Sequence, residues 1–103
     1  MKYERADTFK RDYKRLSKQH REKFREKATT QFHDAAEKAA KGEDNPWPTG
    51  IRVKAVQGTK DIWEMTWSFT DPDGRATWEW VEIEGETGIR WRRVGSHAIF
   101  SVP

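Results

Sequence analysis

The apolar residues of this chain change their period once, and that change limits the folds open to it. From Phe9 to Ala39 they recur every three or four positions: Phe9, Tyr13 and Leu16 first, then Phe24, Ala28, Phe32, Ala35 and Ala39. Each set predicts a helix with one buried stripe. Asp7 or Thr8 is placed to cap the first helix, Ser17–His20 to joint the two, and Gly42 to stop the second. The loop "GEDNPWPTG" (42–50) follows, with two prolines and two glycines that exclude regular structure. Beyond it the period is two. Ile51, Val53 and Ala55 alternate with Arg52, Lys54 and Val56. Trp63, Met65, Trp67 and Phe69 alternate with Glu64, Thr66 and Ser68. Ala76, Trp78 and Trp80 then alternate with Arg75, Thr77 and Glu79, and Ile89 and Trp91 with Arg90 and Arg92. These are four half-buried strands, with "DPDG" (71–74) and "EGETG" (84–88) as turns between them.

A meander of strands with one apolar face needs a covering layer, and the helical hairpin supplies it. The expected architecture is therefore α+β: an N-terminal helical hairpin on one face of a four-stranded, mainly antiparallel sheet. Lys2–Arg5 is a candidate extra edge strand. One domain spans residues 1–103, since a chain of this length buries only one modest core. Six tryptophans among 13% aromatic residues argue against disorder, despite 36% charged residues. There is no cysteine, hence no disulfide frame or thiolate metal site. No apolar leader or membrane-spanning run is visible, so a cytoplasmic protein without membrane partners is expected.

Charge is unevenly spread. Residues 1–41 hold 13 basic and 7 acidic side chains, a net of +6; residues 42–103 hold 7 and 10, a net of −3. That points to a polyanionic partner without requiring one. The second sheet face is expected to collect Arg52, Lys54, Glu64, Thr66, Arg75, Glu79, Arg90 and Arg92. Guanidinium and ammonium groups beside a carboxylate or imidazole can hold a phosphodiester and move its protons. A plain solvated face with cross-strand ion pairs fits the same pattern. His97 follows the last strand and has the side chain best suited to proton transfer near neutral pH. His20 and His33 fall on the helices and are expected to be solvated. Arg93 shares the phase of Ile89 and Trp91, so as an inward arginine it needs a carboxylate partner unless Gly95 re-aims it. Trp47 in the loop could stack on a base or plug the end of the hairpin. No nucleotide-binding glycine loop and no histidine pair at metal-ligand spacing occurs, so neither cofactor nor metal is expected.

The order helix–helix–meander, with "DTFKRDYKRL" at the start and "IWEMTWSF…GRATWEWVEIEGETGIRWRRVGSHAIF" to follow, resembles the RelE/ParE superfamily of bacterial toxin–antitoxin toxins, in its RelE/HigB-like branch. The resemblance covers nearly the whole chain through short motifs. It implies a metal-independent, ribosome-dependent mRNA interferase that inhibits translation. In that reaction the 2′-hydroxyl attacks the adjacent phosphate to leave a 2′,3′-cyclic phosphate. The implied partners are a cognate antitoxin, mRNA and the ribosome. The ParE-like alternative is a non-catalytic inhibitor of DNA gyrase or another protein; a further one is a degenerate nucleic-acid-binding member. Carried over to this chain, the resemblance makes His97, Arg75, Arg93 and Glu64 the catalytic candidates. Arg52, Lys54, Arg90, Arg92, Trp47 and Phe100 become the RNA-binding candidates. Glu64 stands where some members have arginine, and Phe100 lacks the hydroxyl of a late tyrosine, leaving only stacking. The tail after Gly95 is expected to leave this site exposed.

Overall fold

A computed structural model of the chain describes residues 1–70 and 73–103. Strand β1 (Lys2–Arg5) leads through Ala6 into helix α1 (Asp7–Arg15), and Leu16–Ser17 turn the chain into α2 (Lys18–Lys27). Ser17 caps α2, its hydroxyl accepting from the His20 N–H at 3.1 Å. One π-helical turn (Ala28–Phe32) joins α2 to α3 (His33–Ala40), so the two form a single long arm antiparallel to α1 in the hairpin. The two-helix expectation therefore holds.

The sheet has five strands rather than four, in the order β1-β5-β4-β3-β2, and it is mixed. Strands β2 (Lys54–Ala55), β3 (Trp63–Ser68), β4 (Gly74–Ile83) and β5 (Glu86–Ser96) form the antiparallel meander. β1 adds in parallel to β5, pairing Lys2–Arg5 with Gly88–Trp91. The candidate edge strand is thus a full member of the sheet. The strand expected over Ile51–Val56 is reduced to two residues. Thr49–Ile51 form a 3₁₀ turn, with Ile51 in the core, and Arg52 takes a left-handed conformation (φ 42°). The turn expected at 71–74 begins on residues 71 and 72, which lie outside the described residues.

Phe9, Phe24, Ala28, Phe32 and Ala36 from the helices pack on Met65, Trp67, Ala76, Trp78, Ile89, Trp91 and Val94 from the sheet. Phe32 makes close ring contacts with both Trp78 (5.1 Å) and Trp91 (4.7 Å), which seats the long arm on the sheet centre.

Two irregularities reset the strand phase. At Trp67 the pairing steps from Thr66↔Arg75 to Ser68↔Gly74, and Trp67 is the extra residue. Its indole N–H donates to the Arg75 carbonyl at 2.8 Å, and its ring lies where a Cβ on Gly74 would stand 2.6 Å away. Phe69, expected on the core face, is 54% exposed beyond this step. The second bulge makes Arg92 the extra residue, with Thr77 opposite Arg93 and Trp78 opposite Trp91. Val94, not Arg93, therefore continues the core row of Ile89 and Trp91.

Candidate functional site

The second sheet face is not the open polar platform that alternation suggests. After β5 the chain makes a 3₁₀ turn (His97–Ser101), capped by the Ser96 hydroxyl, which accepts from the Ala98 N–H. Ile99 in that turn is buried, and a Cβ on Gly95 would sit 3.1 Å from its Cγ2. Gly95 lies opposite Arg75, so Ile99 seals the sheet face that Arg75 shares. The Pro103 carbonyl then accepts from the Thr77 hydroxyl at 3.0 Å and from Arg92 Nε at 3.2 Å. The tail expected to leave the face exposed instead folds over it, and Glu64, Thr66 and Thr77 are all buried.

What stays open is a cleft of about 420 Å³ lined by Lys54, Ala55, Val56, Gln57, Glu64, His97 and Phe100. Four of the ten candidates meet there: Lys54 from β2, Glu64 from β3, and His97 and Phe100 from the tail. Lys54 and Glu64 are paired across β2 and β3, so both side chains rise from the same sheet face. The His97 and Phe100 rings touch edge to face at 4.9 Å, as one turn of 3₁₀ helix brings i and i+3 together. Arg75 stands behind Glu64, with Nε 3.8 Å from the carboxylate and Nη1 2.6 Å from Asp73. A buried carboxylate with an arginine at that distance is partly compensated and still has an oxygen to offer. The cleft thus combines an imidazole, a carboxylate, an ammonium group and an aromatic face.

The other candidates are employed elsewhere. Arg93 forks onto Asp12 of α1 at 2.5 and 3.2 Å, and Asp12 also accepts the Val94 N–H at 3.2 Å. β1 stops pairing at Trp91, so the β5 edge beyond it is closed by α1: the Thr8 hydroxyl donates to the Arg92 carbonyl and Asp12 takes the next amide. The carboxylate partner expected for Arg93 is therefore present, at the β5 edge rather than in the core row, which Val94 continues. Asp12 sits between Phe9 and Tyr13 on the buried side of α1, and a carboxylate in an apolar stripe was the signal for it. Arg90 pairs with Glu4 at 2.6 Å and Arg92 with Glu79 at 2.6 Å, an ion-pair ladder across β1, β5 and β4. Arg52 leaves the strand altogether and lies over the exposed Phe69 ring at 5.7 Å. Trp47 stacks on Phe32 at 5.4 Å and tilts against Trp78, closing the end of the hairpin. Gln57 and Val56 belong to the cleft without having been singled out, because only the turn after β2 brings them there.

Away from the cleft, His33 is half-buried against Tyr3, ring centroids 4.2 Å apart, rather than solvated. Burial pushes its pKa down, against Glu37 and Asp34. Burial, reinforced by the same two carboxylates, pushes the Tyr3 hydroxyl up to about 12. Among the described residues no three His, Asp or Glu side chains gather as a metal site, and no helix is long and apolar enough to cross a membrane. Comparison with protein-family models, curated proteins and solved structures finds no match to this chain.

Proposed function

We propose that the chain is a RelE-like toxin: a metal-independent endoribonuclease that cuts mRNA, with the cleft between β2, β3 and the tail as its active site. The observation that carries this reading is the convergence of His97, Phe100, Glu64 and Lys54, from three separated stretches of sequence, on one open cleft. In-line transesterification needs a base for the 2′-hydroxyl, an acid for the departing 5′-oxygen, and positive charge for the phosphorane.

In this reading Glu64 takes the 2′-hydroxyl proton as the 2′-oxygen bonds to phosphorus. His97, protonated, gives its proton to the 5′-oxygen as that P–O bond breaks, leaving a 2′,3′-cyclic phosphate and a free 5′-hydroxyl. Lys54 neutralises the non-bridging oxygens. Phe100 offers a stacking face to the flanking base, the contact by which unpaired RNA is usually held. Arg75 positions Glu64, its Nε 3.8 Å from the carboxylate. Arg93, Arg90 and Arg92 have structural partners and take no part. The ribosome and an antitoxin are the partners this reading carries with it.

Inducible expression in bacteria, followed within minutes by mapping of mRNA 5′ ends, tests it. New cuts inside translated frames are expected, with cleavage falling about 10²–10³-fold in His97→Ala. Arrested growth with intact mRNA would discard the ribonuclease and favour a protein target such as gyrase.

A further inference from the structure

A cluster of four tryptophans has no part in the cleft. Between the end of α3, the 43–47 loop and the core side of the sheet lies a cavity of about 400 Å³, large enough for a small organic group. Its wall is built from Trp47, Trp63, Trp78 and Trp80, and Glu43 and Asp44 complete it. Trp63 stacks on Trp78 (5.9 Å, 20°), Trp80 stands edge-on to Trp78 (5.3 Å, 83°), and Trp47 tilts against it (5.4 Å, 52°). Trp63 and Glu64 are successive residues of β3, so this cavity and the cleft lie on opposite faces of the sheet.

Indole faces are the negative ends of the ring quadrupole, and they attract a cation whose hydration is weak. Two exposed carboxylates at the same cavity add a counter-charge, in a chain whose net charge is +3. Among the described residues no Lys or Arg lines the cavity, so the chain does not supply its own cation there. An anion would meet Glu43 and Asp44 and be repelled. A neutral apolar group would gain contact area but leave both charges unused. Trp78 is fully buried and backs the wall, while Trp47, Trp63 and Trp80 are half-buried beside the opening.

From these features we infer that the cavity binds an organic ammonium group. The half-buried indoles of Trp47, Trp63 and Trp80 meet its alkyl carbons, and Glu43 and Asp44 balance its charge. The ammonium comes either from a free quaternary amine or from a lysine side chain of a protein partner. The cavity stands independently of the ribonuclease reading, because the two sites share no lining residue.

Titration of the intact protein with choline, with its neutral isostere 3,3-dimethylbutan-1-ol and with the peptide acetyl-Gly-Lys-Gly-amide, followed by the indole N–H signals in NMR, tests it. Saturable shifts with choline and weaker ones with the alcohol are expected. Glu43→Gln combined with Asp44→Asn should weaken choline binding about fivefold or more, since each carboxylate contributes attraction at short range. Both changes are on exposed loop residues, so the fold is preserved. Tighter binding of the peptide than of choline would identify a partner's lysine as the source. Equal binding of choline and the alcohol, or no saturable indole shift with any probe at millimolar concentration, overturns the inference.

Discussion

Asp12 accepts three hydrogen bonds, two from the Arg93 guanidinium and one from the Val94 amide, while almost wholly buried. Removing a buried ion's partner leaves the other charge uncompensated, and the amide loses its acceptor as well. Asp12→Ala should therefore lower unfolding free energy by about 2–3 kcal/mol in urea titration, more than any change at the solvent-facing Arg90–Glu4 pair. Tyr3 and His33 give the molecule opposite pH limits. Because the folded Tyr3 hydroxyl titrates near 12 rather than at its ordinary value of 10, the unfolded chain loses that proton first. Stability falls as pH rises from 10 towards 12. His33 is shifted down, so the unfolded chain takes up a proton first as pH drops through its ordinary 6.5, and stability falls on the acid side too. Urea midpoints measured across both windows should show these two slopes, the alkaline one absent in Tyr3→Phe and the acid one reduced in His33→Gln.

At the level of single elements, the bulges decide which side chains a strand presents. The step at Trp67 works only because Gly74 opposes it: a Cβ there would lie 2.6–2.8 Å from three carbons of the indole. Gly74→Ala should cost about 1–3 kcal/mol by overpacking a core ring, and Trp67 fluorescence should report the displacement. The bulge at Arg92 likewise moves Val94 into the core and hands Arg93 to Asp12. The π-helical turn at Ala28–Phe32 has a comparable effect in the long arm, where Ala28 and Phe32 remain buried while Ala35 and Ala36 are both turned inward after it.

At the scale of the whole molecule, the sheet carries a different layer on each face. The helices cover one, and the short C-terminal turn, held by Ile99 and by carbonyls of Val102 and Pro103, covers part of the other. That second layer is thin, and the cleft's His97 and Phe100 flank its single apolar anchor. Ile99→Ala should cost about 2–3 kcal/mol and speed hydrogen exchange at the Val102 amide, which bonds to the Ile99 carbonyl. Under the ribonuclease proposal, cleavage should fall in the same variant, because the imidazole and the ring lose their fixed position.

The change of apolar period from 3.6 to 2 was enough to read a helical hairpin, a meander and one shared core, because burial of a single face imposes those repeats on any sequence. Lys54 and Glu64 were also legible as members of one face, since alternation assigns faces, but their direct pairing came from the register of β2 on β3. Tertiary structure alone decided the rest. β1, four residues legible only as a candidate edge strand, is fixed in place, and in parallel, by the unpaired edge of β5. Phase is lost at Trp67 and Arg92, where a bulge inserts a residue without leaving a pattern in the chain. The covering of the second sheet face was invisible for a similar reason. "SHAIFSVP" has too few apolar residues to announce a layer, and its one buried anchor, Ile99, gains meaning only against Gly95 and the sheet beneath it.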